Sequence, residues 1–382
     1  MENKHETKLS YSFVGEPATD TVRWFVDGIH NQMQNRGHEF HESPKDDTGL
    51  IFNLVDSENA RPYRRKTQSV FIVSILEGKE PNGHILETAY PHLLKNISNL
   101  LIYHIKNQQE LCSYFVTPEQ GYPHVILRDG EVEEYFKNAY DRIAPLACSR
   151  FVINNEFIPD LPDELAAGTE KTRQLYYAGR KLDEMDLLPT VIKIEQFLSE
   201  DALRQLWRLY RVGGLSYGNL SVRNDEKSFW MSASGVDKSN LQTVGEHIHL
   251  VKGYDKDKNA IRVSVPKHIE QPVRVSVDAI EHWMVYTENP GVGAIIHAHC
   301  WVDDSSTKMS GHTVAFTKTS YPCGTVELGE DTASVIRHAH DPARVVVCQK
   351  NHGIVVTGKD LKDIFDRIDS GAIRIVKQIE MT

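Results

Sequence analysis

The sequence predicts an α/β protein of two domains. At 382 residues it is long enough for two cores. Short apolar runs rich in β-branched and aromatic residues alternate with stretches at helical spacing. The composition, 40% hydrophobic and 25% charged, is that of an ordinary globular chain. A formal net charge of −10 argues against general nucleic-acid binding and against adhesion to an anionic membrane. No apolar run approaches the length that spans a bilayer. The start, Met1-Glu2-Asn3-Lys4-His5, lacks the apolar stretch of a signal peptide, and the five cysteines form no Cys-x-x-Cys pair. A cytoplasmic setting with reduced thiols is therefore expected.

Residues 1–160 read as a mixed α/β domain. Gly49 to Asp56, Ser69 to Leu76 and Asn99 to Ile105 are expected strands, and Thr19 to Arg36 and Glu131 to Arg142 are expected helices. Arg61, Arg64, Arg65 and Lys66 form a basic cluster able to receive an anion, although a solvated loop before a strand is the simpler reading. His38 and His41 read as surface residues. Residues 161–194 read as a helical linker, with Leu175, Tyr176, Leu182 and Met185 at helical spacing. Ser199, Glu200 and Asp201 then suit the start of a further helix running to Arg211.

The third segment, 195–382, carries the chemistry. Gly213 to Arg223 joins a glycine-rich turn to a strand, and Phe229 to Gly235 is a strand ending in a Ser-Gly turn. Glycines and short hydroxyl side chains let backbone N–H groups approach an anion closely. Ser276 to Glu288 reads as a helix with Ser276 near its cap, Asp278 in its first turn and Pro290-Gly291 as its stop. In Gly293 to Cys300, four small or apolar residues lead into His297-Ala298-His299. Strand alternation points the two imidazoles the same way. His352 follows the apolar run Arg344 to Gln349, and it completes a three-histidine cluster if the two runs are neighbouring strands. Such a cluster suits an open, zinc-type catalytic site. Two other His-x-His pairs lack this context. His247 and His249 are read as a half-exposed strand face, and His338 and His340 sit at a helix end, where such a spacing diverges. A helix from near Gly324 to Arg337, with Thr325 and Glu327 at its start, and a last helix from Asp360 to about Gln378 complete the chain.

Taken together, Gly218-Asn219-Leu220-Ser221-Val222-Arg223, Ser232-Ala233-Ser234-Gly235, Asp278, His297-Ala298-His299 and Asn351-His352-Gly353 resemble the class II aldolase/adducin family in order and spacing. The resemblance covers about residues 195–382. It implies an α/β/α sandwich around a mixed β-sheet, with Zn2+ or another divalent metal on His297, His299 and His352. It also implies Asp278 as the proton-transfer residue, where aldolases usually carry Glu and related epimerases Asp. Substrate or phosphate contacts would come from Gly218, Asn219, Ser234, Gly235 and Ser276, with Val277 in place of the family's second serine. The implied activity is aldol-type cleavage or condensation of a small hydroxy-carbonyl compound or sugar phosphate through a metal-stabilised enediolate. Epimerisation, decarboxylation and dehydration use the same intermediate, and a non-catalytic adducin-like binding module is the alternative from another class. The implied partner is a small molecule, and the implied assembly is a homo-oligomer with sites near subunit interfaces.

Overall fold

The structure, a computed structural model, describes residues 8–64, 70–81, 85–107, 110–117, 124–127, 131–152, 154–188, 200, 218–303, 312–350 and 352–376. The expected helix 199–211, the glycines at 213 and 214, Arg65, Lys66 and Asn351 lie outside them, apart from Glu200. The described chain forms two compact units that divide at Ser149 and Arg150.

In the first unit the strands β1 (Ser10–Val14), β2 (Glu39–Phe40), β3 (Leu50–Leu54), β4 (Phe71–Glu77), β5 (Leu100–Lys106), β6 (Leu111–Val116) and β7 (His124–Leu127) form one sheet in the order β2-β1-β3-β4-β5-β6-β7. The pairings from β2 through β5 are parallel, and β6 and β7 add antiparallel. All five residues of β3 are buried, as expected of a parallel strand covered on both faces. Helix α1 (Asp20–Asn35) is capped by Thr19, whose Oγ1 accepts from the Val22 N–H at 3.2 Å, and it buries Val22, Phe25, Ile29 and Met33 along one stripe. Phe25 packs on His104 of β5, while His92 of α2 (Ile85–Lys95) packs on the neighbouring Tyr103. Successive strand residues face opposite ways, so α1 and α2 cover opposite faces. Helix α3 (Val132–Cys148) packs beside α1, where Phe136 meets Trp24.

His38 and His41 are buried rather than on the surface. His38 Nδ1 accepts from the Leu9 N–H, and its Nε2 lies 2.7 Å from the Tyr140 hydroxyl. His41 lies against Thr48 and Glu39. Polar patterning in Gly37-His38-Glu39-Phe40-His41 disguised them, because Leu9, Tyr140 and Thr48, which bury and hold them, lie outside the segment.

The second unit begins earlier than residues 161 or 195. Strand β8 (Asn154–Ile158) pairs in parallel with β12 (Ala260–Ser264) at one edge of a nine-stranded sheet. After the short helix α4 (Asp163–Ala166), helix α5 (Glu170–Glu184) opens with a capping box at Thr169 and Thr172. Its Leu175, Ala178 and Leu182 join the core of this unit, so the expected linker is a packed layer. The remaining strands are β9 (Asn219–Arg223), β10 (Phe229–Ser232), β11 (Ile248–Asp255), β13 (Ala294–Ala298), β15 (Thr313–Phe316), β16 (Val345–Gln349) and β17 (Gly353–Gly358). They give the order β15-β16-β17-β13-β9-β10-β11-β12-β8, with parallel pairs only at the two ends. The short β14 (Trp301–Val302) pairs separately with β18 (Ile375–Val376).

Two cores flank this sheet. Leu175, Trp230, Ile296 and Phe365 lie in one, beneath α5 and α8 (Leu361–Asp369). Ile280, Val285, Ile295, Ile336 and Val355 lie in the other, beneath α6 (Ala279–Glu288) and α7 (Val326–Arg337). This is the expected three-layer arrangement with a mixed sheet. Helix α6 starts later than expected, so Asp278 is its cap residue rather than a member of its first turn. Helix α8 ends at Asp369, short of Gln378. Among the described residues, no helix is long and apolar enough to cross a membrane.

Candidate metal centre

Strand β13 is flanked on both sides, by β9 and by β17. That position explains its apolar run, since every residue of Ala294–Ala298 is buried. His297 is its fourth residue, and His299 follows directly after its end. The run 345–349 is not the neighbour of β13; β17 stands between them. His352 lies in the turn from β16 to β17, where its N–H bonds the Gln349 carbonyl at 3.2 Å. Because β17 runs antiparallel to β13 with Ile354 opposite Ala298, the start of one strand meets the end of the other. A Cβ on Gly353 would lie 2.4 Å from the Ala298 carbonyl oxygen, so only glycine permits this approach.

The three imidazoles therefore converge. Their ring centroids are 4.9 Å (297–299), 4.8 Å (297–352) and 5.0 Å (299–352) apart, and one ligand atom from each lies within 4.8 Å of the others. Nδ1–H of His297 donates to the Ile354 carbonyl at 3.0 Å, which leaves the Nε2 lone pair available, and that buried atom has no hydrogen-bond partner. His352 Nδ1 is likewise buried without one, while its Nε2 lies 2.8 Å from Cys323 Sγ. Burial lowers the pKa of His297, with Asp278 opposing the shift. Burial, reinforced by His297 and His299, lowers that of His352 well below the usual value. Neutral imidazoles with orphaned lone pairs are the form that ligates a cation, so the residues present fit a divalent metal.

Asp278 stands beside this cluster. Asn219 is the cross-strand partner of His297, and its Nδ2 donates to Asp278 Oδ2 at 2.6 Å. Asp278 is buried, and its Oδ1 has no partner. Gly218 adopts φ 97°, and a Cβ there would lie 2.5 Å from the His297 carbonyl oxygen. Its glycine is thus required by the contact between β9 and β13. The turn bearing Ser234 and Gly235 runs beside the approach to Asp278: Ala233 bridges Val275, the Ser234 N–H bonds Arg274 O at 2.8 Å, and the Ser276 N–H bonds Ser232 O at 3.3 Å. Ser234 and Ser276 thus lie on two paired segments, the second of which leads into Asp278.

Several polar residues behind the site escaped sequence reasoning. Glu281, one turn after Asp278, is fully buried, accepts from Thr332 Oγ1 at 2.8 Å and also accepts from Gln349 Nε2. Burial, aided by the charge of Asp278, pushes its pKa up to about 8. The Nδ1 atom of His282 lies 2.7 Å from Ser221 Oγ, which lies 2.8 Å from the Tyr286 hydroxyl. Lys238 is buried, and burial brings its ammonium down to about 8 against the pull of Asp278 and Asp237. Helical spacing assigns Glu281 to the core-facing stripe of α6, and that buried acid was the available signal. His249, expected on a half-exposed face, is fully buried, and burial lowers its pKa to about 4.

No curated protein matches the chain. Among solved structures, similar ones include YgbL of Klebsiella pneumoniae, 16% identical with a TM-score of 0.35 over 53% of this chain and 85% of that one. An L-fuculose 1-phosphate aldolase is 20% identical, with a TM-score of 0.34 over 54% and 83% of the two chains. The L-fuculose-1-phosphate aldolase of Thermus thermophilus is 18% identical, with a TM-score of 0.30 over 53% and 96%. Residues 201–370 match the family described as Class II Aldolase and Adducin N-terminal domain. Over those residues, the chain carries a domain of the class II aldolase/adducin family.

Proposed function

We infer that the second unit is a divalent-metal-dependent lyase. It cleaves or forms the carbon–carbon bond beside the carbonyl of a small hydroxy-carbonyl compound or sugar phosphate. The observation that carries this reading is the near-equilateral triangle of His297, His299 and His352 with a buried carboxylate, Asp278, tethered alongside. Three neutral imidazoles can hold Zn2+ and leave positions for substrate. Bound there, the cation would supply Lewis-acid polarisation of the substrate carbonyl. Asp278 Oδ1, the oxygen without a partner, takes the hydroxyl proton as the bond breaks and returns it in the reverse direction. The amide of Asn219 fixes that carboxylate by its other oxygen, which orients the proton acceptor. The Gly235 N–H and the hydroxyl groups of Ser234 and Ser276 are offered to the far end of the substrate, including a phosphate, while the Ser234 and Ser276 N–H groups are held by backbone carbonyls. Lys238 adds positive charge near Asp278. The half-exposed Val273 and Val277 before Asp278 support a homo-oligomer that covers this rim.

Metal analysis tests the core of this reading. The purified chain should hold about one equivalent of divalent metal, lose it in His352→Ala, and cleave a hydroxy-carbonyl substrate only when loaded. Less than about a tenth of an equivalent after soaking in zinc would leave a scaffold without chemistry. If loaded protein instead inverts a hydroxyl-bearing carbon or releases water with no carbon fragment set free, the reaction is a retro-aldol epimerisation or a dehydration on the same residues.

A further inference from the structure

We propose that the first unit is itself a ligand-binding domain, with a crevice at the carboxyl ends of β1 and β3 that receives a phosphoryl group on Arg61. Strand β1 leads through α1 to β2 on one side, whereas β3 leads to β4 on the other. The chain direction across the sheet reverses between these two neighbours, and α1 and α2 lie on opposite faces. Open parallel sheets hold ligands at such a reversal, outside the carboxyl ends of the strands.

The side chains at this point fit an anion. Gly15 follows β1 directly with φ 95°, and a Cβ there would lie 2.6 Å from the Leu54 carbonyl oxygen at the end of β3 and 3.0 Å from Arg61 Nη1. The guanidinium thus lies over a bare glycine backbone between the two strand ends. Arg61 is exposed, and no carboxylate pairs with it among the described residues.

Its backbone is nevertheless fixed from both sides. The Arg61 N–H donates to Asn96 Oδ1 at 2.7 Å, and its carbonyl accepts from Asn53 Nδ2 at 2.8 Å. Both asparagines are fully buried. Asn96 is anchored in turn on the His92 carbonyl at 2.8 Å, and Asn53 on Ser74 Oγ at 3.3 Å. Two buried amides from separate elements thus fix the peptide from which this exposed guanidinium projects.

An independent observation points the same way. Ser12 Oγ and Asn53 Oδ1 are buried without a hydrogen-bond partner, and strand alternation puts both on the same face of β1 and β3. Unpartnered buried polar atoms are uncommon, and Asn53, next to last in β3, places one of them beside the strand end where Arg61 stands. The guanidinium fork matches phosphate geometry, and a glycine permits close approach.

Calorimetric titration of the full chain at low salt tests this, with inorganic phosphate and AMP as separate probes and Arg61→Ala beside the wild type. The expected result is binding by the wild type that weakens about tenfold or more in Arg61→Ala, whose circular dichroism and metal content stay unchanged. Tighter binding of AMP than of phosphate identifies a phosphorylated small molecule as the ligand. Equal binding identifies a phosphate receptor. No binding of either probe up to about 10 mM overturns the proposal. So does binding that Arg61→Ala leaves intact, because the anion then sits elsewhere, including on the second unit.

Discussion

Glu281 carries its proton at neutral pH in the folded chain, since burial and Asp278 raise its pKa from 4.5 to about 8. The unfolded chain releases that proton near 4.5. The cost is therefore absent below about pH 4.5, grows as pH rises through the window, and is complete above about 8. Glu281→Gln keeps an acceptor for Thr332 and Gln349 and removes the titration. At equal metal loading, its melting temperature should gain on the wild type progressively from pH 4.5 to 8, and a difference independent of pH would contradict this account. Asn219→Ala strips a hydrogen bond from the buried Asp278 carboxylate and should destabilise the second unit by about 1–3 kcal/mol in denaturant titrations. Cys323 lies 2.8 Å from His352 Nε2. Cys323→Ala should weaken metal affinity about tenfold in competition with a chelator, the usual effect of removing a group that orients a ligand.

At the scale of elements, the centre depends on how closely β9, β13 and β17 approach one another. Gly218 and Gly353 each lie where a methyl group would enter a backbone carbonyl. Gly218→Ala should shift β9 against β13 and lower metal occupancy while the other layers stay folded, as read by metal analysis beside circular dichroism. The sequence made β13 legible because a fully buried central strand writes itself as an apolar run, and period-two alternation aims His297 and His299 together. His352 was legible as the third member of the cluster from the apolar run before it, although the strand beside β13 is β17 and not that run. Glu281, Thr332 and Gln349 come from three elements whose approach is set only by tertiary packing, and no local pattern connects them. The same holds for His38 with Tyr140, partners 102 positions apart. Helix α5 read as a linker because its charged face dominates the composition, while Leu175, Ala178 and Leu182 make a narrow stripe that says nothing about which core receives it.

For the whole molecule, each unit has its own sheet and buried core, so calorimetry should resolve two transitions, and chelation should lower only that of the unit holding the three histidines. A single transition displaced as a whole by chelation would show that the units unfold together. The strand Asn154–Ile158 bears on where this protein can be divided. It shields the outer edge of β12, yet it precedes the family domain of residues 201–370 by more than forty positions. A fragment trimmed to that domain would present the unpaired N–H and C=O groups of Ala260–Ser264 to any passing chain and would also lose the apolar cover of α5. Such a fragment should polymerise edge to edge, whereas one beginning at Arg150 should remain dispersed. The guard against aggregation is written upstream of the domain it protects.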